Sequence, residues 1–515
     1  MEKTCAHCSK KFVIDDSDRA FYTKIHVPAP TLCALCRMQR RLAWRNERNL
    51  YHDTCGLCGK KIISMYAPGH PFPVYCQTCW WSDAWDPQEH GQEYSPSKSF
   101  FAQYHALLQR VPRLNLATVN TENSDYCNYV GFAHNSYLCF GSIHIEDCMY
   151  GSPYESRDCY DSFLVRESEL CYECIDCEKC YACQYCQDCS TSSDLIACFD
   201  CKGSQNCIAS IGLRNKKYYI FNKAYSQQEY ENIKTDLKLN TRKGIDELLK
   251  KFAKFKLNFP HKYAQNLNNE NVSGNYIVNS KNARDCFDVK KAQDVRYCAQ
   301  IIDAKDSYDV NYCEHFELCY EHIGYYGNNN IQFCNTCGEC ADCQYSDFCK
   351  SSQNLFGCVG LRNKKYCILN KQYTKQEYET LRAKIIADMH ADKTYGEFPP
   401  MGLSPFSYQD SVAADYFPQQ IKTKITQHTL PQEAGRCIVC AKAYKILPKE
   451  LNFYKKQDIP LPQKCPECRH SARFAQRTPR LLWKRQCAKC NMPIQSAYAP
   501  DRPEIIHCEQ CYLQS

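Results

Sequence analysis

Sixteen cysteines form eight Cys-x-x-Cys pairs near the two ends of the chain, four pairs at each end. In this spacing, two thiolates from one tight turn can bind the same metal ion. Adding 432 to the number of each cysteine in the first set gives a cysteine of the second set, so a module of about 75 residues is duplicated at the two termini. The predicted metal ligands are Cys5, Cys8, Cys33, Cys36, Cys55, Cys58, Cys76, Cys79, Cys437, Cys440, Cys465, Cys468, Cys487, Cys490, Cys508 and Cys511.

Each module has eight such thiols, which suffice for two four-cysteine sites. Four soft thiolates favour Zn²⁺ in tetrahedral coordination, so we expect about four zinc ions per chain. The simplest arrangement joins sequential pairs, and a cross-brace, in which the first and third pairs share one ion, is the alternative. Closed four-thiolate coordination leaves no position for a reacting water, which favours a structural role. The first site should resemble a treble clef and the second a zinc ribbon, with a hairpin between its two knuckles.

A basic segment follows the second cysteine pair of each module. Four arginines recur at the same offset, namely Arg37, Arg41, Arg45 and Arg48 in one module and Arg469, Arg473, Arg477 and Arg480 in the other. Their spacing predicts one face of a helix, and a basic stripe on a zinc module is typical of nucleic-acid binding. The alternatives are a solvated face and pairing with acidic residues of the same chain. Four zinc sites would bring the formal net charge from +7 to about −1 and leave only the C-terminal module basic, so its four arginines are the predicted contact with RNA or DNA.

The central region contains a second duplication, with an offset of 148 residues. Ile211–Tyr218 reads IGLRNKKY and Val359–Tyr366 reads VGLRNKKY, and Leu170–Glu173 matches Leu318–Glu321 in the same register. The central region therefore consists of two related halves.

Cysteines within each half recur at intervals of nine residues, as they do from position 171 to position 207. A short fixed period is typical of a solenoid. We predict a parallel β-helix of nine-residue units, two per turn, with cysteines stacked in ladders inside it. Ser226 with Glu229 and Thr374 with Glu377 have the spacing of a capping box, which predicts a closing helix at the end of each half.

Two denser runs place cysteines at every third residue, from Cys171 to Cys189 and from Cys334 to Cys343. Three interpretations stay open for these runs: a further zinc site, an iron–sulfur cluster, and stacked thiols without metal. The runs lack the C-x3-C-P ending that bacterial ferredoxins use for their clusters.

Together these patterns predict a mainly β protein. Its segments are an N-terminal module (1–90), a first solenoid half with a closing helix (91–250), a linker and second half with its own helix (251–392), an extended linker rich in proline and aromatic residues (393–431), and a C-terminal module (432–515). Trp80, Trp81 and Trp85 should dock the N-terminal module onto the solenoid.

Composition excludes several classes of protein. No run of about 18 apolar residues exists, so no membrane span is expected. The first residues lack the apolar stretch of a secretory signal, and 41 cysteines, most of them in pairs, suit reduced or metal-bound thiols, so we expect a cytoplasmic protein. P-loop, H-E-x-x-H, G-x-S-x-G and G-x-G-x-x-G motifs are absent, which favours a protein without catalytic activity.

Several segments are similar to those of a group of bacterial proteins rich in Cys-x-x-Cys pairs. They are YHDTCGLCGKKIIS, VYCQTCWWSDAWDP, SFFAQYHALLQRVPR, NSDYCNYVG and GLRNKKYCILNK, and the resemblance covers nearly the whole chain. Members of this group are sometimes labelled CaiB/BaiF, a name that belongs to CoA transferases, which are large α/β proteins with a catalytic Asp. The resemblance implies an architecture and zinc binding, and it implies no activity.

Three functional hypotheses follow. The leading one is a zinc-stapled scaffold without catalytic activity that binds a macromolecule, either RNA or DNA or a protein. The second is a metal- or redox-handling protein with iron–sulfur chemistry in its cysteine runs. The third is a carbohydrate-active β-helix whose candidate carboxylates are Asp147, Asp158, Asp161 and Asp176.

Overall fold

The computed structural model describes residues 1–316, 318–324, 327–419 and 435–515. Strands outnumber helices, and the strand pairs of the central region are mostly parallel. The prediction of a mainly β protein is confirmed. None of the helices in the described ranges is long and apolar enough to cross a membrane.

The two central halves are built from short strands. The strands of the first half are Thr118–Glu122, Asn128–His134, Phe140–Glu146, Ser152–Arg157, Phe163–Arg166, Ser193–Ile196, Gln205–Ile208, Lys217–Ile220 and Lys223–Ala224. Those of the second half are Gly274–Val278, Lys281–Arg284, Cys286–Lys290, Gln293–Arg296, Ala299–Tyr308, Asn311–Phe316, Cys319–Tyr320, Gln353–Phe356, Lys365–Ile368 and Lys371–Gln372. Isolated parallel bridges continue the pairing between the strands.

The usual register of this parallel pairing is 12 residues. Asn128 lies beside Phe140, and Ser193 lies beside Gln205. A residue with positive φ recurs at every third position through much of both halves, and each such residue turns the backbone so that every third side chain faces a buried core. The predicted nine-residue unit with 18 residues per turn is therefore wrong. Nine and 12 are both multiples of the true period of three, which explains why a nine-residue spacing shows in the sequence.

Every cysteine of the two dense runs is at most 2% exposed. The Cys189 thiol donates to the carbonyl oxygen two residues before it, at 3.5 Å, and to the one nine residues after it, at 3.6 Å. The Ser162 hydroxyl makes the same two contacts, at 3.1 and 3.4 Å. Within the described part of the chain, neither run brings three ligand atoms close enough to share a metal ion. Of the three interpretations, the geometry supports stacked, hydrogen-bonded thiols.

Replacing Cys189 with serine should change the free energy of unfolding by less than about 1 kcal/mol, because a hydroxyl can donate the same two hydrogen bonds. Cys189→Asp should cost at least about 3 kcal/mol, because it buries a carboxylate without a partner. Urea denaturation followed by circular dichroism measures both values. A serine variant as unstable as the aspartate variant would point to metal ligation at Cys189.

The terminal modules have matching elements. The N-terminal module contains strands Glu2–Thr4, Lys11–Val13, Tyr51–Thr54, Lys61–Ser64 and Val74–Tyr75 and helices Asp16–Lys24, Ala34–Leu42 and Gln77–Trp80. The C-terminal module contains strands Gly435–Arg436, Ala443–Tyr444, Trp483–Gln486, Pro493–Ser496 and Ile505–His507 and helices Pro448–Lys456, Pro466–Phe474 and Glu509–Leu513.

The remaining elements connect or close the larger units. They are helices Phe100–Leu108, Gln227–Asp236, Arg242–Phe255, Lys375–Ala391 and Val412–Tyr416, strands Arg113–Leu114 and Pro260–Lys262, and 3₁₀ turns Pro87–His90, Lys256–Asn258, Met401–Leu403 and Tyr408–Asp410. Both predicted capping boxes are present, at the helices that begin after Ser226 and Thr374. Each of these helices packs against the last parallel strand of its half, as predicted.

Each module packs against the half of the central region that is more distant from it along the chain. The Phe21 ring of the N-terminal module stacks on Tyr308 of the second half, with centroids 3.8 Å apart. The Phe453 ring of the C-terminal module stacks on Tyr160 of the first half at 3.9 Å. These two contacts are related by both sequence duplications, since Phe21 corresponds to Phe453 and Tyr160 to Tyr308.

Each module also pairs a strand with the beginning of the other half. Val74–Tyr75 lies beside Arg113–Leu114, and Ile505–His507 lies beside Pro260–Lys262, both in parallel. Every module therefore contacts both halves and bridges them.

The predicted docking and linker segments agree in part with the structure. Trp80 and Trp85 are 2% and 8% exposed and pack in the core beneath the N-terminal module, whereas Trp81 is 43% exposed. The linker up to residue 419 packs on the N-terminal module, for example through Phe398 against Trp44, and it contains short helical turns rather than only extended chain. The rest of the predicted linker, 420–431, lies outside the described residues.

Candidate metal centres and arginine clamps

The sixteen predicted ligands form four groups, and in each group the four sulfur atoms lie within 4.8 Å of one another. The groups are Cys5, Cys8, Cys33 and Cys36; Cys55, Cys58, Cys76 and Cys79; Cys437, Cys440, Cys465 and Cys468; and Cys487, Cys490, Cys508 and Cys511. This grouping joins sequential pairs, and it is not a cross-brace.

Both sites of a module share one local plan. An antiparallel hairpin presents the first cysteine pair, and the third cysteine is the N-cap of a helix that carries the fourth. Cys33 begins Ala34–Leu42, and Cys76 begins Gln77–Trp80. The hairpin predicted between the two knuckles of the second site is wrong. The observed hairpin pairs Tyr51–Thr54 with Lys61–Ser64 and so encloses the first knuckle. The segment after this hairpin packs away from the site, with the Tyr66 ring stacked on Phe406.

The sulfur positions fit a tetrahedral metal. A Zn–S bond of about 2.3 Å corresponds to a sulfur–sulfur edge of about 3.8 Å. One edge from each group measures 3.9, 3.9, 3.7 and 3.8 Å. Backbone N–H groups donate to the Sγ atoms of Cys5, Cys55 and Cys487 at 3.3 Å, a contact that stabilises a thiolate.

The first thiol of each group has a pKa below its ordinary value. Burial raises the pKa of the Cys5 thiol, but hydrogen bonds from the backbone of Cys8 and Cys33 outweigh burial and lower this pKa to about 6. The first thiol of each other group behaves in the same way, with a pKa of about 6. Burial and the neighbouring sulfur atoms raise the pKa of Cys36 instead. Full ionisation of a group therefore needs a cation that offsets the repulsion among four thiolates.

The arginines of the C-terminal module enter a buried ion-pair cluster. Arg469 and Arg473 contact the two carboxylate oxygens of Asp161 at 2.8 and 2.9 Å, and Arg473 also lies 3.3 Å from Glu173. The charged side chains of Arg469, Arg473 and Asp161 are nearly inaccessible to water. Burial alone lowers the pKa of Arg469, but the Asp161 carboxylate more than compensates, so the guanidinium stays charged. We call Arg469, Arg473 and Asp161 the C-terminal clamp.

The N-terminal module forms an equivalent cluster on the second half. Arg37 and Arg41 contact the carboxylate of Asp309 at 2.9 and 3.2 Å, and Arg41 lies 3.7 Å from Glu321. We call Arg37, Arg41 and Asp309 the N-terminal clamp. The two clamps are related residue by residue by the offsets of 432 and 148.

The predicted nucleic-acid face at Arg469, Arg473, Arg477 and Arg480 is therefore wrong, because these arginines are at most 8% exposed and all pair with carboxylates. Arg477 contacts Asp176 at 2.7 Å, and Arg480 contacts Asp288 at 3.0 Å. The helix ends at Phe474, so the last two arginines lie beyond it. Of the alternatives, pairing with acidic residues of the same chain is the one observed.

Three of the four candidate carboxylates of the carbohydrate hypothesis form ion pairs with the C-terminal module. Asp161 and Asp176 pair with the arginines described above, and Asp147 pairs with Lys449 of the C-terminal module. Three of the four carboxylates therefore hold a module in place, and the structure does not support a catalytic role for them.

Sequence reasoning missed the acidic partners of the clamps, although a signal for them existed. Asp161 and Asp309 share the 148-residue offset, as do Glu173 and Glu321. A duplicated arginine set together with a duplicated acidic set would have indicated an internal contact.

Comparisons with known proteins assign no family. No protein-family model and no curated protein matches the chain. One solved structure that matches, a suggested acetyltransferase from Desulfovibrio desulfuricans G20, is 8% identical over 51% of this chain and 71% of that chain, with a TM-score of 0.11. A TM-score this low carries no argument about fold, so the conclusions about function rest on the geometry of the four cysteine groups and of the two clamps.

Proposed function

We propose that the protein is a zinc-stapled scaffold without catalytic activity, in which two zinc modules clamp a central solenoid. The observation that carries this proposal is the set of four sulfur groups with tetrahedral edge lengths. Zinc is the metal proposed, since four thiolates suit its softness and geometry. All four ligands of each site are protein sulfurs, so a bound ion would have no open position for substrate.

The solenoid is the proposed arrangement of the parallel ladders. The nearly constant 12-residue register, the positive φ at every third residue and the two separate cysteine-lined cores support it. At the end of each half, a short antiparallel strand pairs with the last parallel strand and the closing helix packs against that strand, which limits pairing with other chains.

A protein is the proposed partner of this scaffold. The arginines predicted to bind RNA or DNA are occupied by internal ion pairs. The first knuckle of the C-terminal module instead exposes apolar side chains, with Ile438 66% and Val439 64% exposed. Exposed apolar residues favour contact with another protein over contact with phosphates. The cytoplasm, where thiols stay reduced, is the proposed location.

Elemental analysis tests the proposal on full-length protein purified anaerobically under reducing conditions. We expect about four zinc ions per chain and no iron, and about three zinc ions after Cys487→Ser with Cys490→Ser. Iron with visible absorbance would support the redox hypothesis instead. A high ratio of absorbance at about 260 nm to that at about 280 nm, from co-purified nucleic acid, would contradict the choice of a protein partner.

A further inference from the structure

A cavity of about 250 Å³ lies between the two central halves and is bounded on a third side by the N-terminal module. One row of side chains crosses five neighbouring parallel strands and forms its floor. The row consists of Val119, Gly131, Ile143, Tyr154 and Arg166. The row changes from apolar to aromatic to cationic along its length.

The other walls are largely apolar and aromatic. Gly324, Thr336 and Phe348 follow one another at the 12-residue step in the second half. Trp80 and Trp81 close the cavity from the N-terminal module. Trp81 is 43% exposed, so the cavity opens to solvent beside this ring. Concave sites of this size and composition fit small organic molecules.

Two cations line the cavity without an acidic partner. The Lys350 ammonium lies 5.2 Å from the centre of the Trp81 ring, and the Arg166 guanidinium lies 4.5 Å from the centre of the Tyr154 ring. Within the described ranges, no carboxylate oxygen lies within 4.0 Å of either cation. Both side chains are partly buried. A cation beside an aromatic wall, without a carboxylate to neutralise it, favours an anionic ligand.

The duplication provides an internal comparison for Lys350. Its equivalent in the first half is Lys202, which lies 3.6 Å from the Asp200 carboxylate. Phe348 stands at the position equivalent to Asp200. The second half has therefore kept the lysine and replaced its acidic partner with an aromatic wall.

At two further positions of the cavity wall, the second half has a residue without charge where the first half has an aspartate. Asp176 and Asp188 both accept hydrogen bonds, and their equivalents are Gly324 and Thr336. The space beside Asp188 is only about 20 Å³, the volume of roughly one water. Both copies dock a module through the same clamp, so docking does not require the wider cavity.

We propose that this cavity binds a small organic anion with a flat apolar body. The apolar body lies on the floor row against Ile143 and the tryptophan pair, and the anionic group lies beside the Trp81 ring and the Lys350 ammonium. Arg166 lies at the opposite end of the row, four strands away from Val119. No cysteine of the four groups lines this cavity, but Trp80 and Trp81 directly follow Cys79, so the proposed site requires a folded N-terminal module.

Two fluorescent probes with the same apolar body test the proposal on the full-length, zinc-loaded protein. The anionic probe is 1-anilinonaphthalene-8-sulfonate, and the neutral probe is N-phenyl-1-naphthylamine. We expect saturable binding of one anionic probe per chain, with energy transfer from tryptophan. Lys350→Gln should weaken binding of the anionic probe by about threefold to tenfold and change binding of the neutral probe by less than about twofold. Arg166→Gln, at the far end of the row, should change binding of either probe by less than about twofold.

Lys202→Gln is the matched control and should leave both probes unchanged. Ile143→Trp should fill the cavity and abolish binding of both probes. Circular dichroism checks that this variant folds, and Thr336→Phe, which fills the cavity from the opposite wall, replaces it if it does not. Absence of saturable binding would overturn the proposal. Equal weakening by Lys202→Gln and Lys350→Gln, or unchanged binding in the folded filled variant, would also overturn it.

Discussion

Removal of the metal by a strong chelator is expected to unfold both terminal modules while the central halves keep their parallel strands. Structural zinc contributes about 10–16 kcal/mol of apparent binding energy in small zinc domains, and this energy becomes folding energy. The C-terminal module has few buried apolar residues around its last cysteine group, so it depends strongly on the metal. The cysteines of the central cores donate to carbonyl groups and need no ion. Limited proteolysis with mass spectrometry, in the presence of a reductant, locates the segments that become cleavable.

A matched pair of cysteine variants sharpens this experiment. Cys487→Ser with Cys490→Ser should remove one zinc and expose only the C-terminal module to protease, because the other three groups are intact. Cys189→Ser should keep the full zinc content. The expectation is wrong if the metal-free modules resist protease, or if the central halves become cleavable together with the modules.

Asp161→Asn should release the C-terminal module from the first half at a cost of about 3–5 kcal/mol, the cost of breaking a buried ion pair by removing one partner. Asp161 accepts contacts from both arginines of the C-terminal clamp, so its loss leaves Arg469 and Arg473 without their shared carboxylate. Denaturant unfolding measures the energy, and protease mapping should show cleavage in the C-terminal module only.

The duplication supplies the matching experiment on the other module. Asp309→Asn should release the N-terminal module and leave the C-terminal one in place, because Asp309 holds Arg37 and Arg41. Glu270→Gln is the control, since its 2.9 Å pair with Lys281 is largely exposed and should contribute less than about 1 kcal/mol. If Asp161→Asn is as mild as this control, the clamps do not hold the modules.

The four-cysteine groups and the helix starts could be predicted from the sequence because both depend on residues close together in the chain. A Cys-x-x-Cys pair places two sulfurs in one turn, and Ser226 and Thr374 need a glutamate only three residues away. The two duplications are also visible without coordinates. These local signals predicted the cysteine groups, the closing helices and the mainly β character.

The repeat length was only partly visible because the sequence shows multiples of the underlying period. Inward positions recur at every third residue, and cysteine occupies only some of them, since serine donates the same hydrogen bonds. The register of 12 depends on which strands lie beside each other, which a nine-residue cysteine spacing does not specify.

Only the tertiary structure decided what the arginines do. A basic helix face looks the same in sequence whether it meets phosphates or buried carboxylates, because the difference lies in which surface faces it. Here the arginines of the N-terminal module pair with Asp309 of the second half, and those of the C-terminal module pair with Asp161 of the first half. The cavity is likewise a tertiary feature. Lys350 occupies the position equivalent to Lys202, but Phe348 stands where the first half has Asp200. The Trp81 ring of the N-terminal module, distant in sequence, lies beside the Lys350 ammonium.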